Sequence, residues 1–177
     1  TVDDGSCDMS STDVFGCTDS TGYNYNPLAT INNGDCVMLH PGEQVHGGIV
    51  FYVDETGQHG LVAAIEDLAE YYEWGCYGTS ISGADGQFIG TGYQNTLDIV
   101  AGCSDTNTAA YNALNSTVGG YTDWHLPSKD ELYEMYMTIG NGSPEGDIGG
   151  FGNNWYWSSS EYNNYSTWYV GFSDGNA

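Results

Sequence analysis

The sequence predicts an α+β domain of short helices and antiparallel strands, preceded by a small cysteine-closed repeat. Three observations predict it. Apolar and β-branched residues flank short polar turns near residue 56 and again near the C-terminal end. Between these two regions, "LPSKDELYEMYMTIG" carries helical spacing and a helix-start signal. Near the N-terminus, a pattern ending in Gly, a small polar residue and Cys occurs twice.

Length and charge bound the reading. A chain of 177 residues can hold one well-cored domain and a small appendage. It carries 24 acidic residues against one Lys, Lys129, for a formal net charge of −23. Such a surface repels phosphate backbones and anionic headgroups, which excludes nucleic acid as a partner. The self-repulsion needs relief from a salty medium or from bound divalent cations. The 15 Tyr and other aromatics are spread along the chain, as in an ordered protein. No apolar run is long enough to span a membrane. The first residue is Thr1 and no secretion signal is visible, so the chain reads as a piece of a longer exported protein.

"TVDDGSC" (1–7) and "TINNGDC" (30–36) share Thr, a β-branched residue, two Asp or Asn, Gly, a small polar residue and Cys. The first is read as the end of a truncated repeat, with 8–15 as a linker. The complete unit spans 16–36. Its Asp/Asn-Gly stretches make tight turns. They also offer oxygens for calcium, with Asp19, Asn24, Asn26, Asn32, Asn33 and Asp35 as candidate ligands. Plain Asx turns closed by a disulfide are the alternative. Five Cys, at 7, 17, 36, 76 and 103, form no C-x-x-C pair. The four His lack zinc-site spacing. Widely spaced Cys fit disulfides in an oxidising, extracellular compartment, with one Cys left over.

Residues 37–46 read as a linker with a Pro-Gly turn, and the main domain as 47–177. "GGIVFYVDETGQHGLVAAI" (47–65) reads as a hairpin whose loose alternation implies cover on both faces. A polar-aromatic loop carrying Cys76 follows. Residues 94–103 give a short helix ending at Gly102. A second spans 104–117, with Ala109, Ala110 and Leu114 on one side. A disulfide between Cys76 and Cys103 would close a loop of about 27 residues and contribute about 3 kcal/mol. A buried pair of free thiols is the alternative. Ser128 and Glu131 form a capping box. Leu132, Met135, Tyr136 and Ile139 then make one apolar helical face, and Gly140 stops the helix.

The C-terminal stretch reads as two strands with one apolar face, placing Trp155, Trp157, Trp168, Val170 and Phe172 inside. The intervening "SEYNNYS" (160–166) is read as too polar to pack inside. Tyr162, Asn163, Asn164 and Tyr165 are therefore expected at an exposed tip suited to recognition, with Trp168 and Tyr169 as stacking partners for a sugar ring.

Two resemblances extend this reading. Cys17, Thr18, Asp19, "NYNP" (24–27), Ala29, Thr30, Gly34 and Cys36 resemble the "CTDPxACNYNPxATxDDGSC" repeats of secreted marine-bacterial proteins, which act as spacers. Tyr23 stands where that pattern has its middle Cys. The resemblance thus implies a Cys17–Cys36 pair and leaves Cys7 unpaired or joined to an external partner. Over residues 47–177, "DWHLPSKDEL" and "YWSSSEY", with "WGCYGT", "IVAGC" and "FSDGN" in order, resemble one family. It is the C-terminal domain of the Legionella collagen-like adhesin, also called the Fibrobacter succinogenes major paralogous domain.

That resemblance implies a C-type-lectin-like fold with twisted strands and a role in adhesion or ligand binding at a bacterial surface. It also implies one further strand beyond Ala177. Sulfated-glycan binding is not carried over, because the chain has a single Lys and no Arg. The Glu-Pro-Asn and Gln-Pro-Asp motifs of calcium-dependent lectins are absent. No nucleophile lies beside a base and no phosphate loop is present, so an enzyme is not expected. The expectation is a secreted adhesion module, with a glycan or a surface protein as partner. The alternative is a subunit of an extracellular filament or sheath, self-assembled by strand completion or calcium-bridged acidic surfaces.

Overall fold

The computed structural model describes residues 12–69 and 71–177. Cys7 and the truncated repeat at 1–7 lie outside the described residues. The chain divides into two units. One holds the described residues up to Leu39 together with Val53–Gly60; the other holds His40–Tyr52 and Leu61–Ala177.

The first unit is organised by turns. Strand β1 (Phe15–Gly16) runs parallel to β2 (Ile31–Asn32), and a disulfide joins Cys17 to Cys36. The candidate calcium ligands make local hydrogen bonds. Asp19 accepts from the Thr21 amide at 2.9 Å, and Asn24 Oδ1 accepts from the Val37 amide at 2.8 Å. Asn26 accepts from Leu28 N at 3.0 Å, and Asn32 from Gly34 N at 2.8 Å. Asn33 Oδ1 accepts from Asp35 N at 3.1 Å, and its amide donates to the Asp35 carboxylate. The bonds of Asp19, Asn26, Asn32 and Asn33 to the amide two residues on are Asx turns, while Asn24 reaches across to Val37. Among the described residues, no group of three or more His, Cys, Asp or Glu is arranged to hold a metal.

The second unit is α+β. Strands β3 (Gln44–Val45), β4 (Gly48–Val53) and β5 (Gly60–Ala64) form one small sheet in that order. Helices α1 (Gly92–Gly102), α2 (Ala109–Leu114) and α3 (Lys129–Thr138) follow. Strands β6 (Trp155–Asn163) and β7 (Ser166–Gly171) close the chain as an antiparallel hairpin. Three apolar clusters hold the unit together. Ile81, Ile99, Cys103, Ala110 and Leu126 pack around α1 and α2. Ile49, Phe51, Ala63 and Ile139 pack beneath β4. Leu132, Val170 and Phe172 join α3 to β7. On α2 the buried residue is Ala113, not the expected Leu114, which is half-buried.

Helix α3 begins on a complete capping box. The Ser128 hydroxyl accepts from Glu131 N, and the Glu131 carboxylate accepts from Ser128 N at 2.7 Å. The same carboxylate accepts from Gly90 N at 2.7 Å and lies 3.8 Å from His125 Nε2. Glu131 is only 1% exposed. Burial pushes its carboxyl up, but the neighbouring His125 ring and hydrogen bonds from the Ser128 and Gly90 amides outweigh that and hold it below its ordinary value. Gly92 makes room for this network. A Cβ there would meet the Leu126 carbonyl and Ser128 N at 2.8 Å. Sequence spacing identified the cap but not that one carboxylate also ties α3 to the α1 loop.

Strand β6 corrects the expected facing. Phe172 is fully buried, but Trp155 is 59% exposed and Trp157 39% exposed. Tyr156 turns inward instead, its ring 4.7 Å from Phe172 and 5.7 Å from Phe151. The cause lies in the composition. "WYW" puts an aromatic on both faces, so period-two alternation cannot say which is inside. Register decides it: Tyr156 pairs with Val170, and Trp157 with Tyr169. The inward Tyr hydroxyl is satisfied, donating to Asp67 and accepting from Gly152 N, both at 3.0 Å. Burial, together with the Asp67 hydrogen bond and charge, pushes its phenol up to about 12.

A second correction concerns the polar run. Within the run read as too polar to pack inside, Ser160 and Glu161 are buried, as are Ser158 and Ser159 before it. Small serines let β6 approach other backbone closely. Ser159 N donates to the Pro127 carbonyl at 2.7 Å, Ser160 Oγ to Gly86 O at 2.6 Å, and Lys129 N to Ser160 Oγ at 3.0 Å. Every serine therefore exchanges water for a protein partner, which removes the penalty that polarity alone would predict.

Candidate functional site

The outer face of the C-terminal hairpin carries an aromatic row. Trp155 and Trp157 both meet Tyr169 edge to face, at 4.9 and 6.3 Å between ring centres. Gly171, opposite Trp155, leaves space for the indole, whose Cζ3 would lie 3.0 Å from an added Cβ. Beside this row, Glu73, Trp74, Gly75 and Tyr77 form a second wall. The two walls enclose an open groove of about 300 Å³. Trp157, Tyr165 and Tyr169 line it from the hairpin, with Asn163 and Asn164 at its end.

The 73–78 wall is held to the hairpin at several points. Trp157 Nε1 donates to the Tyr72 carbonyl at 3.1 Å, and Trp74 Nε1 to the Ser158 carbonyl at 2.7 Å. Gly78 N donates to the Asn164 carbonyl at 2.7 Å. The Tyr77 and Tyr165 rings lie 5.4 Å apart across the mouth. Behind the wall, Ala109 N donates to the Glu73 carbonyl at 2.7 Å. A disulfide joins Cys76 to Cys103 at the end of α1. The groove is thus preformed, and its rings need little ordering on contact.

The structure divides the residues expected at the tip. The turn itself is Asn164–Tyr165, with Asn163 Oδ1 accepting from Tyr165 N at 2.9 Å. Asn163, Asn164, Tyr165 and Tyr169 line the groove. Tyr162 and Trp168 do not. They stack on each other at 5.1 Å, and Lys129 Nζ sits 4.2 Å from the Trp168 ring centre. The chain's single Lys is therefore engaged away from the groove. Glu73, Trp74, Tyr77 and Trp157 were not proposed from sequence. The facing error hid Trp157, and only the fold brings the 73–77 loop alongside the hairpin.

This arrangement defines a class of protein: a disulfide-braced α+β module presenting an aromatic groove beside a hairpin. Residues 65–177 match the model of the Lcl C-terminal domain, and the chain belongs to that family. The matched region begins after β5, later than the resemblance from residue 47. Membership is consistent with a surface adhesin-like module. Comparison with curated proteins and with solved structures returns no match. Among the described residues, no helix is long and apolar enough to cross a membrane.

Proposed function

We propose that this chain is an extracellular adhesion module that binds glycan in the groove between the 73–77 loop and the β6–β7 hairpin. One observation carries the reading: exposed, preheld aromatic faces converge with Asn side chains at a single concave surface. Flat rings offer contact area to the apolar face of a sugar ring at small entropic cost, and amides pair with hydroxyls. The two disulfides and the adhesin family support an extracellular setting. Charge narrows the partner. A net −23 chain with its single Lys placed over Trp168 has no cation to offer at the groove, so polyanionic glycans are disfavoured.

A glycan array probed with the protein, with and without a chelator, tests this. We expect binding to uncharged or cationic sugars, weak signal for sulfated ones, and no change on chelation. Calcium-dependent binding would instead assign recognition to acidic residues. Silence across the array in both conditions would remove the glycan reading.

A further inference from the structure

We infer that the groove prefers glycans bearing a protonated amine, such as N-deacetylated hexosamine units. This rests on the groove being the glycan site, and it adds a charge preference to that reading. Two features of the groove point the same way. The first is the set of rings: Tyr77, Trp157, Tyr165 and Tyr169 line one concave surface. An ammonium held against such faces is attracted by their quadrupoles. The second is Glu73, which lines the same groove with its backbone fixed by the Ala109 amide at 2.7 Å. Its carboxylate is exposed and bonded to no group among the described residues. A carboxylate beside aromatic faces offers an ammonium a charged acceptor and a set of π faces together.

The rest of the molecule reinforces the preference. The net charge of −23 raises the local concentration of cationic ligands and speeds their arrival. The one Lys is engaged over Trp168, outside the groove, so no protein ammonium already occupies these rings. The chain itself shows the chemistry, since Lys129 over Trp168 is an ammonium held by an aromatic ring. An N-acetylated sugar keeps the stacking but forfeits the charge, so the two forms separate the contributions.

The test is calorimetric titration with chitin oligosaccharides of equal length, fully acetylated and fully deacetylated, at a pH where the amine is protonated. We expect the deacetylated form to bind about tenfold more tightly. In Glu73→Gln that margin shrinks severalfold, because the deacetylated form loses more affinity than the acetylated one. The substitution removes one charge from a net −23, so the general field is nearly unchanged and the loss reports the groove. Equal binding of the two forms overturns the amine preference but leaves the groove a glycan site. A margin that survives intact in Glu73→Gln places the attraction in the overall charge and also overturns the inference. Absence of binding by either form overturns it as well, and the array then decides the wider reading.

Discussion

Glu131→Gln is expected to destabilise the second unit by about 3 kcal/mol, the range for breaking a buried, hydrogen-bonded charge network. The carboxylate accepts from Ser128 N, Gly90 N and Gly92 N and faces His125. An amide presents only one accepting oxygen, so its NH2 would confront donors where the second oxygen stood. For a chain of this size the loss corresponds to a fall in Tm of roughly 10 °C. The pH dependence gives an independent signature. A carboxyl held below its ordinary value of 4.5 contributes stability above that pH. The contribution is lost as pH falls through the lower, folded-state value. Wild type should therefore lose its advantage over Glu131→Gln in acid, and thermal melts across that window check the convergence. A constant gap between the two proteins would mean the carboxylate acts through shape alone.

Replacing Cys76 and Cys103 together by Ser is expected to have an effect of comparable size. Their separation of 27 residues sets the loop entropy that the bridge removes from the unfolded chain. The chain-entropy model gives about 3 kcal/mol for such a loop. Cys103 is also buried in the α1–α2 cluster, so a hydroxyl there adds a desolvation cost. Function should respond too, because Cys76 lies in the wall that carries Trp74 and Tyr77. The wall keeps its bonds from Trp74 to Ser158 and from Gly78 to Asn164. Binding therefore weakens, on the order of tenfold, through ordering cost rather than disappearing. Urea denaturation and a glycan titration of the same variant measure both effects. Full affinity in a destabilised variant would show that the wall is held by its hydrogen bonds alone.

What the sequence could show depended on whether one residue type had one plausible environment. The Ser128–Glu131 cap was legible because its side-chain chemistry is local and directional. The apolar spacing of α3 was legible for the same reason. Phe172 and Val170 have no polar handle, and they are buried as expected. Trp155, Tyr156 and Trp157 were ambiguous, since each can pack or stand exposed. Their facing is settled by pairing with Tyr169 and Val170 across the hairpin, a long-range fact. The serine run misled because burial of a hydroxyl depends on distant acceptors such as the Gly86 carbonyl. Of the six residues expected at the tip, Asn163, Asn164, Tyr165 and Tyr169 line the groove, because they follow the hairpin wherever it faces. Its other wall comes from residues about 90 positions earlier, which strand periodicity cannot reach.

The central claim is that recognition uses the groove rather than the opposite face of the hairpin. Calorimetric titration of a glycan selected on the array, against Trp157→Ala and Tyr162→Ala, tests it most directly. Both side chains are exposed, so both variants should fold. Trp157→Ala is expected to weaken binding about thirtyfold, as for the loss of a central aromatic anchor, with Tyr162→Ala close to wild type. Undiminished affinity in Trp157→Ala, with loss in Tyr162→Ala, would place the ligand on the Trp168 face and contradict the account.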